Sequence, residues 1–342
     1  MRNNICAISI LLLNITLSFG QDFIFSQYDA NPLFVNPALT GERTNEYNGI
    51  HFNVNYKDQT ANYSKNAGTN KTFAAGVDLP INDKFSIGQY FGNNNSPDGI
   101  FNTFNFLLSG AYKIISPSQD NNRHNLSVGL QMGVLNSNVN TKNFIYASQY
   151  SPTSADGFDR SISSGETFSQ QSFFKFDYNA GIYYRTKLKG DKMTVASGFS
   201  LYHIGKSLET NTLEGSFTSM RTSLHFNLAY KLNEKIEICP SALYINQAKA
   251  QGLNIGVLMN YKLNDLYQPI LGLNIINNSS LVLQMGIKAK GTIIRMSYSG
   301  AVNSLKTYGN RGLEVSLTHN TQKKAHPVTE EEHQKHKKHY LF

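Results

Sequence analysis

The chain has 342 residues, a formal net charge of +8 and an apolar content of 40%. A soluble protein of that length would divide into two or more domains. Its 19 tyrosines, 21 phenylalanines and 26 glycines point instead to one large sheet protein, because aromatic residues suit pleated, membrane-facing strands better than helices. The positive charge comes with no nucleic-acid-binding motif.

Residues 1–20 read as a signal peptide. Arg2 gives a short basic start, Ile5 to Leu17 is mostly apolar, and Ser18 and Gly20 put small side chains before a cut at Gln21. The apolar run is too short for a membrane anchor. Cys6 leaves with the leader, so Cys239 stands alone and no intrachain disulfide is expected. After the leader there is no apolar stretch long enough for a transmembrane helix. A spanning chain would therefore cross as strands.

Residues 21–47 break the strand period. Asn31-Pro32 and Asn36-Pro37 each place an N-cap residue before Pro at the first helical position, so two short helical turns are expected. Phe23, Phe25, Tyr28, Leu33, Phe34 and Leu39 form an apolar set that needs a partner. The segment reads as a plug in a lumen or a platform at its periplasmic mouth.

From residue 48 to 319 the dominant signal is alternation. Leu126, Val128, Leu130, Met132 and Val134 alternate with Ser127, Gly129, Gln131 and Gly133. Leu224, Phe226, Leu228 and Tyr230 repeat the pattern, as do Leu253, Ile255, Val257, Met259 and Tyr261. Strands are expected near 48–56, 71–80, 84–91, 100–114, 124–135, 174–186, 192–204, 221–232, 235–245, 251–262, 267–276, 280–289, 291–300 and 310–319. That is fourteen, an even number as in bacterial single-chain barrels. A soluble sandwich also alternates, but here the connections sort by length. The odd connections include 57–70, 92–99, 136–173, 205–220 and 301–309 and hold almost all the long loops. The even ones are 81–83, 115–123, 187–191, 233–234, 263–266 and a tight turn at 290. Long outer loops and short inner turns mark an antiparallel transmembrane β-barrel. Leu126, Val128, Leu130, Leu224, Phe226, Ile255 and Val257 should then face lipid. Pro240 falls inside the ninth strand and predicts a bulge or a strand boundary.

Residues 320–342 form a periplasmic tail rich in Lys and His. After His326-Pro327, Thr329 and Glu332 can make a capping box for a short helix. His333, His336 and His339 recur every third residue, but the neighbouring Lys335, Lys337 and Lys338 would repel a cation, so a solvated or partner-facing helix is the expectation.

The stretch Gln21-Asp22-Phe23-Ile24-Phe25-Ser26-Gln27-Tyr28, followed by Asn31-Pro32-Leu33-Phe34-Val35-Asn36-Pro37-Ala38-Leu39-Thr40-Gly41, resembles the opening of the PorP/SprF family. That opening runs D-P-x-F-S-Q-Y, then N-P-L-x-x-N-P-A-x-x-G. Asp22, Phe25, Ser26, Gln27, Tyr28, Asn31, Pro32, Leu33, Asn36, Pro37, Ala38 and Gly41 match it, while Phe23 stands where the family often has Pro. Tyr56-Lys57-Asp58-Gln59-Thr60 keeps part of the family's Y-R-x-Q-W element, with Lys57 for Arg and Thr60 for Trp. Gly198 to His203 resembles its G-x-S-x-x-H, and Gly312 to Leu317, centred on Glu314, its closing strand. The resemblance implies an outer-membrane barrel of Bacteroidetes-type bacteria that works with the type IX secretion and gliding machinery. It implies as partners other components of that machinery, outer-membrane lipid, and a secreted adhesin carrying a C-terminal sorting domain. The functional segment would be Phe25, Ser26, Gln27, Tyr28, Asn31, Pro32, Asn36, Pro37, Ala38 and Gly41.

No nucleophile elbow, zinc-protease helix, P-loop or dinucleotide fingerprint occurs, so neither an enzyme nor a cofactor is expected. His225 and His203 are read as lumenal hydrogen-bonding groups, and Glu314 as the lumenal partner of a Lys or Arg on a neighbouring strand. The competing function is a channel for small hydrophobic molecules, because Asn36-Pro37-Ala38 is also similar to the hatch region of long-chain fatty-acid channels.

Overall fold

A computed structural model describes residues 22–42, 49–60, 69–116, 123–141, 144–154, 157–166, 172–189, 192–205, 218–248, 250–277, 279–302 and 311–321. The expected signal peptide, its cut site and the tail helix lie outside the described residues. Among those residues the strands are β1 (His51–Thr60), β2 (Thr69–Pro80), β3 (Phe85–Asn95), β4 (Phe101–Ile115), β5 (His124–Val139), β6 (Ser172–Leu188) and β7 (Met193–Tyr202). They continue with β8 (Arg221–Lys231), β9 (Ile236–Gln247), β10 (Ala250–Tyr261), β11 (Tyr267–Ile276), β12 (Ser280–Ala289), β13 (Thr292–Ala301) and β14 (Arg311–Asn320). Each pairs with its chain neighbours, and β1 pairs antiparallel with β14 from His51↔Asn320 to Thr60↔Arg311, closing a fourteen-stranded barrel. Closure matters because in lipid every backbone group must be paired. No helix among the described residues is long and apolar enough to cross a membrane.

The two faces sort as the alternation predicts. Leu130 is 68% exposed and its neighbour Gln131 only 3%. Val128, Leu224, Phe226, Ile255 and Val257 are exposed on the outer face, and Leu126 shares it half-buried. Ser127, Ser223, His225 and Asn254 are buried on the lumenal face. The connections sort as well. The described residues 140–141, 144–154, 157–166, 203–205, 218–220 and 302 lie at one end, which the loop rule makes the outer one, and 81–84, 232–235 and 290–291 lie at the other. Two outer connections, after β9 and after β11, are only two and three residues long. Ala248 and Asn277 there adopt the left-handed conformation that tight hairpins require.

Pro240 produces neither the bulge nor the boundary expected. β8 and β9 pair from Arg221↔Gln247 to Asn227↔Ser241 and resume in the same register at Tyr230↔Ile238. On its other side Pro240 pairs normally with Val257 of β10. A proline that cannot donate has interrupted one ladder without shifting it. Leu228 and Ala229 thus face Pro240 and Cys239 across an unpaired stretch of wall.

Candidate functional site: a plug and its cradle

Residues 22–42 lie inside the barrel as an irregular plug. Three short turns shape it: a 3-10 turn at Tyr28–Ala30, a single α-turn, α1, at Pro32–Val35, and a 3-10 turn at Pro37–Leu39. The two turns expected at the Asn-Pro pairs are present, but only Asn36 caps with its side chain, accepting from Ala38 N at 2.9 Å. Asn31 makes no cap and instead accepts from Asn53 Nδ2 of β1 at 3.2 Å. The interior wall has claimed the side chain that local sequence assigned to the helix end.

Every residue of the expected functional segment is in the lumen and buried. Phe25, Tyr28, Leu33, Phe34 and Val35 pack with Tyr90, Leu107, Leu243 and Ile245 from the wall. Phe23 stacks on Phe34 at 5.1 Å, and Phe25 meets Phe34 edge-on at 5.8 Å. This core takes the apolar surface that an irregular backbone cannot present to lipid.

The outer end of the plug is held by charge. Asp22 Oδ2 pairs with His203 Nε2 at 2.9 Å and with Arg221 Nη1 at 2.8 Å. Its amide donates to Gln247 at 2.7 Å. His203 reaches Asp177 of β6 through its other ring nitrogen, also at 2.9 Å. Arg221 lies between the rings of Phe34 and Tyr202 and donates to Phe34 O at 2.8 Å. Burial alone would push the Asp22 carboxyl up, but His203 and Arg221 overrule it and hold the group well below the usual carboxylate range. Burial would likewise lower His203, yet the two carboxylates raise it to about 9. His203 therefore sits as an imidazolium between two acids.

In the middle, the amides of Ser26 and Gln27 donate to the Glu314 carboxylate at 2.7 and 2.9 Å. Gln27 continues to Ser297 at 3.0 Å, and Ser316 donates to Gln27 Oε1 at 2.6 Å. Lys57 sits opposite Glu314 in register but directs its ammonium to Ile24 O at 2.7 Å. The partner expected for Glu314 was a neighbouring cation. Its hydrogen bonds go to plug backbone, and the neighbouring-strand Lys57 acts on it through charge alone.

The inner end is held by shape. Asn36 Nδ2 donates to Ile182 O at 2.9 Å and contacts His225 Nε2 at 3.3 Å. Pro37 and Ala38 lie on Gly129 of β5, and Asn36 on Gly181 of β6 and Gly198 of β7. A Cβ at any of the three glycines would collide with them. Gly129 and Gly181 are direct partners across the β5–β6 ladder. Gly41, at φ +72, donates to Asp78, which also holds His51 at 2.7 Å. Beyond it Glu42 pairs with Arg185 at 2.8 Å.

The three distant echoes of the opening motif all end on this plug. Gly198 receives Asn36, Ser200 donates to Val35 O, His203 binds Asp22, Lys57 binds Ile24 and Glu314 binds Ser26 and Gln27. A model of the family described as type IX secretion system membrane protein PorP/SprF matches residues 17–319. The chain belongs to the PorP/SprF family. It is thus a membrane component of type IX secretion and an outer-membrane β-barrel, in a secretion family that is not an enzyme family.

No functionally curated protein matches the sequence. Among solved structures, the monoaromatic hydrocarbon channel CymD is similar at 10% identity and TM-score 0.54, over 86% of this chain and 93% of that one. The Pseudomonas putida toluene transporter TodX follows at 10% and 0.51, over 89% and 98%. The Ralstonia pickettii toluene transporter TbuX gives 10% and 0.50, over 84% and 92%. At such identity the PorP/SprF chain shares their fold and nothing further is implied.

Sequence reasoning missed Asp177 and Arg221, whose only signal is lumenal parity on their strands. It also missed the glycine strip, visible merely as small residues on the polar face.

Proposed function

We propose that this PorP/SprF protein helps secrete, or holds at the surface, an adhesin carrying a C-terminal sorting domain. It does so with other type IX components. The Phe25–Gly41 plug serves cargo handling, not barrel assembly. The supporting observation is the convergence just described: motif residues from three separate stretches of the wall meet on the plug, whereas the barrel wall is closed by its own ladders. The test replaces Tyr28 and Phe34 together with Ala, then follows barrel insertion by heat-modifiable gel mobility and surface display of the co-purifying adhesin. Retained insertion with lost display is expected. Normal display would end the cargo role, and lost insertion would make the plug structural.

The other reading is a channel for small hydrophobic molecules, the role named for the three similar structures. It would require the plug to move, and the plug is fixed at both ends by the contacts of Asp22 and of Asn36 to Glu42. We therefore place secretion first.

A further inference from the structure

Beneath the plug, at the inner end of the lumen, lies a cavity of about 400 Å³. Its roof is Tyr28, Pro32, Val35 and Leu39 of the plug, and Leu258, Ile270 and Ile293 line the wall. Lumens of membrane barrels are ordinarily polar, and here the apolar residues form one side of a cavity whose remaining lining is polar, with Asn227, Ser241 and Asn260.

Two cations stand on one flank. Arg295 of β13 is buried, with Nη2 on Asp29 at 2.8 Å and Nη1 without a hydrogen-bond partner. It leans across Gly286 of β12, where any Cβ would strike its side chain. Two residues further along β12 is Lys288, inward, half-buried, and with no hydrogen bond or ion pair among the described residues. A buried arginine with a spare N–H beside an unengaged lysine is a receptor for an anionic oxygen group. The cavity also reaches the wall where the β8–β9 ladder is interrupted: Leu228, Ala229, Cys239 and Pro240 all line it. Leu228 shares the outward parity of Leu224 and Phe226 on β8 and is half-buried, so the lining there belongs to the lipid side of the wall, a few residues from the inner end of both strands.

We propose that this cavity binds a single-chain amphiphile with a carboxylate or phosphate head, drawn from the periplasmic leaflet through the gap at Pro240. The chain lies along Leu258, Ile270 and the plug roof, and the head meets Lys288 and Arg295. The site is a standing one that abuts the plug; it needs no passage through the lumen and does not depend on the secretion role.

The test uses the full detergent-extracted protein and cis-parinarate, a fluorescent single-chain carboxylate. Saturable binding is expected, with displacement by oleate or by oleoyl lysophosphatidate, the tighter of the two identifying the head group. Displacement by uncharged mono-oleoylglycerol should be weaker by at least about tenfold, as should oleate binding to Lys288→Glu. Oleate should also slow maleimide alkylation of Cys239, a readout in the unaltered protein that stands even if the variant misfolds. Unsaturable uptake with no protection of Cys239 would mean partition into detergent and would overturn the site. Equal displacement by the uncharged lipid would overturn the role of the two cations.

Discussion

The two ends of the plug are fastened by different physics. At the outer end, Asp22, His203, Asp177 and Arg221 make a buried cluster of two carboxylates and two cations. At the inner end, Asn36, Pro37 and Ala38 sit on three wall glycines and bond through amides and carbonyls. Charge tolerates small displacement but fails when one partner goes, because the remainder is a buried, uncompensated ion. Close packing ignores pH but fails when volume is added. One segment therefore has a fastening sensitive to ionisation near the outer surface and one sensitive to shape near the periplasm. The two can be broken separately.

The largest effect is expected from Arg221→Ala. It removes the cation on Asp22, the donor to Phe34 O and the guanidinium between Phe34 and Tyr202, and should cost about 3–5 kcal/mol. Urea unfolding of the solubilised barrel measures the loss, and proteinase K should then cut within residues 22–28 while 36–42 stay protected. Uniform release of both ends would show that they act as one unit.

Gly181→Leu should cost less, about 1–3 kcal/mol, by forcing Asn36 off the wall. Cleavage should now fall at the inner turn, with Asp22 still held. Unaltered stability and protection would mean that the turn does not need the glycine strip.

The smallest effect is pH-dependent. His203 is raised from 6.5 to about 9, so its contribution is complete below about pH 6.5 and lost as pH rises through about 9. Asp22 is depressed, so its contribution holds through the neutral range and fades only in strong acid. The outer end should loosen by at most about tenfold per pH unit as pH rises toward about 9 and level off above it. The Asn36–Ala38 turn should stay protected. Proteolysis across pH 8–10 tests this, and the dependence should vanish in His203→Gln. A pH effect persisting in that variant would assign it to another group.

Much of the barrel was legible because a period of two is a local property. Each strand carries its own lipid and lumen faces, so all fourteen could be read one by one, with ends displaced by a few residues. Pro240 was legible as an anomaly but not in its outcome: the chain shows that a donor is missing, while the neighbouring strands decide whether the ladder shifts or simply opens. The plug was legible as a break in the period with an unsatisfied apolar set. Its motif residues were legible through family resemblance. Their partners were not, because Asp22 and His203, or Ser26 and Glu314, are 181 and 288 residues apart and meet only when the sheet closes. By itself, then, the sequence determined which faces meet lipid and where regular structure stops, since both follow from side chains a few residues apart. Only the tertiary structure decided that the plug lies in the lumen with Asp22 outermost, that three glycines make its bed, and that Arg295 and Lys288 share a cavity. Those facts depend on which strands stand opposite one another across a closed barrel.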